Sequence, residues 1–309
     1  MTMNLKNKSV KVAVCSRTFY KNLYLRNELK KLKKIIKFNK TNKTLRNKEL
    51  SNFIGDSEIT IIGLEIINKS IINKLPNLKT IIKYGVGLDK IDLNYLKKKN
   101  IKLIHFPGFN KRSVSELVLG YILAKSRNLY EHFKETKNKN WENKTGNLVT
   151  KKKIGIIGCG NIGKDLIKIL KPFDNEIYVN DIKNINNYAK KNNLKNSSKK
   201  IIFKNCDFIS IHIPYNKKNR NIIDQKYISL MRDNSTLINT SRGNVVNEND
   251  LYKNLKKKNI FSYFDVLSIE PLNKNNRLIN LKNFFLSPHI GGSTLESILE
   301  GGRLCIKRI

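Results

Sequence analysis

Acidic residues are what this sequence most conspicuously runs short of. Asp and Glu number 24 against 61 Lys and Arg, leaving a formal net charge of +37. Such an imbalance would suit a nucleic-acid or anionic-membrane partner. The basic residues, however, are spread along the whole chain among Asn and Ile, as in 30–40, 97–99, 190–200 and 256–258. No RNP-like strand, aromatic-interleaved patch or separate basic tail gathers them. Solvated faces account for the charge, and a nucleic-acid partner is not expected. Long apolar runs are missing too. Nothing approaches the ~20 residues of a membrane span, so no membrane partner is expected. The opening Met1-Thr-Met-Asn-Leu-Lys-Asn-Lys has no apolar core of a signal peptide, which points to the cytoplasm. Cysteine is scarce: Cys15, Cys159, Cys206 and Cys305 form no C-x-x-C pair, and no histidine stands at metal-ligand spacing from any of them. The expectation is buried free thiols and no bound metal.

What the sequence does have is a glycine-rich turn between a strand and a helix. A chain of 309 residues has room for two domains with separate cores. Ile154, Ile156 and Ile157 form a short β-branched run that reads as a central strand buried on both faces. Gly158, Gly160 and Gly163 follow in G-x-G-x-x-G spacing with Asn161 and Ile162 between, and helical periodicity resumes at Leu166, Ile167 and Leu170. The first glycine allows a tight turn, the second lets backbone approach a pyrophosphate, and the third lets helix pack on strand. Phosphates would sit on the helix N-terminus, where unpaired N–H groups favour negative charge. A second apolar run, Ile177–Val179, leads to Asp181, close to the spacing of the acid that binds the adenosine ribose. A carboxylate there repels a 2′-phosphate, so NAD is the expected cofactor. Lys183 nearby leaves room for tolerance of NADP.

The rest of the chain alternates short apolar runs with helical segments. Runs at 10–14, 58–64, 78–83 and 101–106 precede the glycine turn, and runs at 207–213, 235–239, 261–266 and 283–286 follow it. This pattern predicts an α/β protein of two doubly wound parallel sheets. The segments 30–40 and 184–200 read as polar helix ends or loops. Residues 113–129 read as one long helix capped by Asn110 or Ser113. The main boundary falls near Pro107-Gly108, giving domains 1–107 (completed by 290–309) and 108–289. Ligands in such sheets bind beyond the carboxyl ends of the strands. Those ends are Tyr84–Asp89, His212–Pro214, Thr240–Asn244, Asp265–Pro271 and Ser287–Ser293.

Three of these ends carry complementary ionisable groups. Arg242 offers a planar guanidinium suited to a carboxylate. His289 offers an imidazole able to move a hydroxyl proton near neutral pH. Glu270 offers a carboxylate that could orient that imidazole and stabilise its charged form.

The motifs I-G-I-I-G-C-G-N-I-G, N-T-S-R-G-N-V-V-N-E, F-D-V-L-S-I-E-P-L and S-P-H-I-G-G-S-T resemble, in order and spacing, those of the D-isomer-specific 2-hydroxyacid dehydrogenases. K-Y-G-V-G-L-D-K-I-D-L and N-K-R-S-V-S-E-L-V-L extend the likeness to nearly the whole chain. The resemblance implies a Rossmann NAD-binding domain and a flavodoxin-like substrate-binding domain. It implies that His289 is the acid–base catalyst, Glu270 its partner and Arg242 the substrate-binding cation. Gly85, Val86 and Gly87 would hold the substrate carboxylate through backbone amides. Gly158, Gly160, Asn161, Ile162, Gly163, Asp181, His212, Pro214, Thr240 and Asp265 would surround the cofactor, with Asp265 at the nicotinamide carboxamide. A homodimer built around 113–129 is implied as well. Ser115 stands where the family usually has alanine, a difference expected to affect packing. No C-terminal regulatory extension is expected. The substrate would be a D-2-hydroxy acid or its 2-keto acid, with 3-phosphoglycerate the first choice. Two alternatives stay open: a glyoxylate- or phosphite-type dehydrogenase, and an NAD-sensing, corepressor-like binding protein on the same fold.

Overall fold

The computed structural model describes residues 10–309, so the leader expectation on residues 1–8 lies outside it. Two compact units appear. One runs to Asn110 and takes up the chain again at Leu295–Ile309; the other is Lys111–Thr294. The expected boundaries at 107 and 289 therefore shift. The chain stays with the first unit through Asn110. Residues 290–294 stay with the second, whose buried Asp265 binds the backbone N–H groups of Ile290 and Gly291.

The first unit holds five parallel strands: β1 (Lys11–Val14), β2 (Ile35–Phe38), β3 (Ile59–Ile62), β4 (Thr80–Lys83) and β5 (Lys102–Ile104). Their spatial order, β2-β1-β3-β4-β5, is the doubly wound flavodoxin-like order. Strand alternation divides the apolar residues between two layers. Val12, Val14, Ile61 and Ile82 face Phe19, Leu25, Leu29 and Cys305. Ala13, Ile62 and Ile81 face Leu50, Ile54 and Leu96. With both faces covered, the central strands carry apolar residues at consecutive positions, as in Val12–Val14, Ile61-Ile62 and Ile81-Ile82.

The second unit holds seven parallel strands: β6 (Lys153–Ile157), β7 (Glu176–Asn180), β8 (Lys195–Asn196), β9 (Phe208–Ile211), β10 (Thr236–Asn239), β11 (Phe261–Phe264) and β12 (Phe284–Leu286). They lie in the order β12-β11-β10-β9-β6-β7-β8. Counted from β6, this is the Rossmann order with one strand added at the far edge. The order reverses between β6 and β9, whose carboxyl ends lead to Gly158 and His212.

Three local expectations need correction. Ile35–Phe38 is an edge strand, not a helix end or loop: Ile36 and Phe38 pack on the core while the Lys37 ammonium lies over the Phe53 ring on the other side. Residues 184–200, expected to be polar and irregular in part, are irregular only in short connections. They form a helix at Asn186–Lys191, the short β8, and the start of a helix at Lys199–Asn205 capped by the Ser198 hydroxyl. Ile185, Ala189, Ile202 and Phe203 anchor this polar stretch by being buried. The long helix is two, Lys111–Ser126 and Leu129–Lys137, parted at Asn128 in left-handed conformation, which asparagine tolerates better than most residues. Ser113 does not cap it; its hydroxyl donates to the Gly291 carbonyl at 2.6 Å.

Candidate active site

The glycine turn follows β6 directly. Gly158 has φ +98°, and a Cβ there would lie 2.7 Å from the His212 carbonyl oxygen. A Cβ on Gly163 would lie 2.3 Å from the Gly158 carbonyl oxygen. Only hydrogen fits at either position. Gly160 is different: a Cβ there would meet nothing within 4 Å. It stands at the N-terminus of the helix Asn161–Leu170, which has no side-chain cap. Asp181, at the end of β7, accepts the Cys159 N–H at 2.7 Å and the Lys183 N–H at 2.9 Å. The acid is thereby fixed against the glycine turn.

Arg242 follows β10 in a turn organised by Asn239. The Asn239 amide donates to the Arg242 carbonyl, and its Oδ1 accepts the N–H and hydroxyl of Ser241. Gly243 brings this turn against the next one, because its Cβ would lie 1.9 Å from the Leu267 carbonyl carbon. The two turns touch backbone to backbone. That second turn carries Glu270, whose Oε1 accepts the Leu267 N–H at 3.1 Å and whose Oε2 lies 2.7 Å from His289 Nδ1. Burial alone would push the Glu270 carboxyl up. The His289 hydrogen bond and charge, the Leu267 N–H and the Arg242 charge outweigh it and hold the group below its ordinary value. Bonding to a carboxylate places a proton on Nδ1 and leaves Nε2 for substrate.

The loop bearing His289 is held from below. Asp265, 1% exposed at the end of β11, accepts the Ile290 N–H on Oδ1 and the Gly291 N–H on Oδ2, each at 2.7 Å, and the Ser287 hydroxyl on Oδ1. His289 itself has φ +56°, a conformation that costs a non-glycine residue of order 1 kcal/mol or more and persists only when its surroundings impose it.

A family model described as "D-isomer specific 2-hydroxyacid dehydrogenase, NAD binding domain" matches residues 119–291. Over 274 residues the chain is 32% identical to hydroxypyruvate reductase of Thermotoga maritima, covering 86% of this chain and 88% of that protein. It is 32% identical over 276 residues to D-3-phosphoglycerate dehydrogenase of Methanocaldococcus jannaschii, covering 86% of this chain and 51% of the other. D-lactate dehydrogenase from Aquifex aeolicus, solved with NAD and lactic acid, superposes with a TM-score of 0.85 at 25% identity, covering 96% of this chain and 93% of that one. The chain belongs to the D-isomer specific 2-hydroxyacid dehydrogenases.

This dehydrogenase carries open polar groups where a dinucleotide is expected. The Thr240 hydroxyl oxygen and His212 Nδ1 are buried without a hydrogen-bond partner, a costly state that a bound polar group would relieve. Burial pushes the His212 imidazole down to about 3, so it is neutral, with Nε2 bonded to the Ser210 hydroxyl at 2.9 Å. Together with the empty space over Gly160 and the uncapped helix, these groups fit a cofactor with phosphates at one end and an amide at the other. Pro214 follows His212 at the mouth of the β6–β9 reversal. Asp265, Thr240, Arg242, Glu270 and His289 all lie in the second unit. Gly85, Val86 and Gly87 belong to the first, after β4, half-buried.

The sequence reading passed over several supporting groups. Asn239, inside the N-T-S-R-G motif, shapes the Arg242 turn. Glu248 accepts the Ser268 N–H at 2.6 Å and steadies the Glu270 turn. Ser115 does more than pack, since its hydroxyl donates to the Lys111 carbonyl at 2.9 Å and also reaches the Ile162 carbonyl of the helix Asn161–Leu170 at 3.3 Å. Glu248 and Ser115 act through partners distant in sequence.

Proposed function

We propose that this dehydrogenase interconverts a small D-2-hydroxy acid and its 2-keto acid with NAD, using His289 as the acid–base group. The observation that carries this reading is the 2.7 Å bond between His289 Nδ1 and Glu270, beside an arginine, at the carboxyl ends of neighbouring strands. When bound, the nicotinamide exchanges a hydride with the substrate's C2. His289 Nε2 gives a proton to the keto oxygen in reduction and takes it from the hydroxyl in oxidation. Glu270 accepts from His289 Nδ1 and fixes the tautomer. Arg242 binds the substrate carboxylate and polarises the carbonyl. The relatives' names and the basic composition direct the search to hydroxypyruvate, glyoxylate and 3-phosphohydroxypyruvate. Assay of each with NADH tests the reading; oxidation of NADH with at least one is expected, and none with any would refute it.

Asp181 supports a preference for NAD over NADP. Asp181→Ala should narrow that preference roughly tenfold, by removing repulsion of the 2′-phosphate and a ribose contact. Equal kcat/KM for the two cofactors in the unaltered enzyme would contradict the assignment.

We also propose a homodimer, joined through the segment that follows the helix Lys111–Ser126. Phe133, Trp141 and Leu148 there are 64%, 90% and 73% exposed, more apolar surface than a free face usually carries. Sedimentation at moderate salt, which damps self-repulsion of so basic a chain, should show a dimer that Phe133→Asp weakens. A monomer at every concentration would contradict it. Among the described residues no helix is long and apolar enough to cross a membrane, and we place the enzyme in the cytoplasm.

A further inference from the structure

The grip of Asp265 on the His289 loop does not end at the carboxylate. Ser287 has one hydroxyl proton, and it is given to Asp265 Oδ1. The Tyr121 hydroxyl also lies within hydrogen-bonding distance of Ser287 Oγ. With the serine proton committed, Tyr121 must be the donor and Ser287 Oγ the acceptor. The bonds then run in one direction, from Tyr121 to Ser287 to Asp265. Asp265 in turn holds the N–H groups of Ile290 and Gly291, the two residues that follow His289.

The tyrosine is well placed for this. It projects from the helix Lys111–Ser126, with its ring centroid 5.5 Å from that of Tyr263, which stacks on Phe285 at 4.4 Å. Phe285 and Ser287 are two residues apart at the end of β12, so the aromatic stack and the hydroxyl chain fix the same segment. Burial raises the Tyr121 phenol to about 12; its bond to Ser287 offsets part of that rise, and the charge of Asp265 adds a still smaller raising effect. It therefore keeps its proton throughout the working range and stays a donor.

We infer that Tyr121 is a positioning residue for His289, acting through Ser287 and Asp265 rather than by touching substrate or cofactor. Asp265 is nearly fully buried, and a buried carboxylate needs its donors. If the Tyr121 hydroxyl is removed, Ser287 Oγ loses its donor and the serine proton is no longer directed at Asp265. The loop then loses part of what imposes the left-handed backbone at His289, and the bond to Glu270 loosens. The aromatic packing around Tyr121 would survive, so Tyr121→Phe separates positioning from core stability.

The inference rests on His289 being the acid–base group, and its test uses two readouts so that the two ideas can fail separately. In full-length Tyr121→Phe enzyme, kcat for reduction of the best 2-keto acid should fall roughly 5–10-fold, the scale of one buried hydrogen bond. KM for NADH should not change. Ser287→Ala should show a similar loss, and the double variant should be no worse than Ser287→Ala alone, because both act in one chain. Ser287→Thr, which keeps the hydroxyl, should retain activity. The second readout needs no turnover. In ¹⁵N-histidine-labelled protein, the Nδ1–H signal of His289, assigned by its loss in His289→Ala, should exchange with water faster in Tyr121→Phe than in the unaltered protein. Unchanged kcat with unchanged exchange would overturn the inference, as would additive losses in the double variant. Faster exchange in an enzyme that turns over no 2-keto acid would support the positioning role and refute the proposed reaction instead.

Discussion

Replacing His289 by alanine is expected to lower kcat about 10²–10⁴-fold, the usual contribution of a general acid–base group, while NADH affinity stays close to that of the unaltered enzyme. The side chain is bonded to Glu270 and to no other described side chain, and the loop is held by backbone bonds to Asp265 that survive the change. The fold should therefore persist. Stopped-flow turnover and NADH fluorescence titration on the same sample check both halves. Glu270→Gln should act differently. Its carboxyl lies below the ordinary range in the folded enzyme, because the pull of His289, Leu267 and Arg242 exceeds the push of burial. The carboxylate accepts from His289 Nδ1 and so fixes the imidazole's tautomer. The glutamine variant keeps an acceptor at that place but can turn an amide N–H toward Nδ1, so kcat should fall less than in His289→Ala, with NADH affinity unchanged. For stability the sign follows from the same shift. The pair's contribution is present above the ordinary carboxylate range and is lost as pH falls through the lowered Glu270 value.

Gly243→Ala is expected to be the most damaging single methyl group in the second unit. Its Cβ would fall 1.9 Å from the Leu267 carbonyl carbon and 2.1 Å from the Ser268 nitrogen. These are backbone atoms, which cannot swing aside as a flexible side chain could. Overpacking on this scale costs roughly 3 kcal/mol or more, a fall in Tm of about 6–12 °C for a unit of this size. Parting the two turns also separates Arg242 from Glu270, so residual folded enzyme should be nearly inactive. Gly160→Ala is the control. With nothing within 4 Å of the added methyl, its Tm should match the unaltered enzyme, while NADH binding weakens about tenfold as the methyl intrudes where phosphate must approach. A stable, active Gly243→Ala enzyme would show that the two turns are not packed as described.

Much of the scaffold was legible because the physics involved is local. Parallel strands buried on both faces read as short β-branched runs, and the glycine turn announces itself through spacing that only close backbone approach requires. The proposed roles of Arg242, Glu270 and His289 come from their position at strand ends and from resemblance to a family, not from any property of one residue. What stayed hidden depends on neighbours distant in sequence. Ile35–Phe38 resembles a basic linker until its pairing with β1 is seen. Helices at 186–191 and 199–205 are mostly polar, and a few buried apolar residues anchor them. Asp265 reads as one more acid at a strand end; its three donors come from residues 287–291, across β11 and β12. Tyr121 reads as one apolar position of a helix, and nothing in its own segment reveals the serine it meets.

The chirality of the product tests the whole account most directly. Hydroxypyruvate and 3-phosphohydroxypyruvate would each be reduced with NADH, and the hydroxy acid resolved on a chiral column or by stereospecific coupling. Every 2-hydroxy acid formed is expected to be the D isomer, and its formation is expected to slow about 10²–10⁴-fold in folded His289→Ala enzyme. An L product, or a D product formed at the full rate without His289, would contradict it.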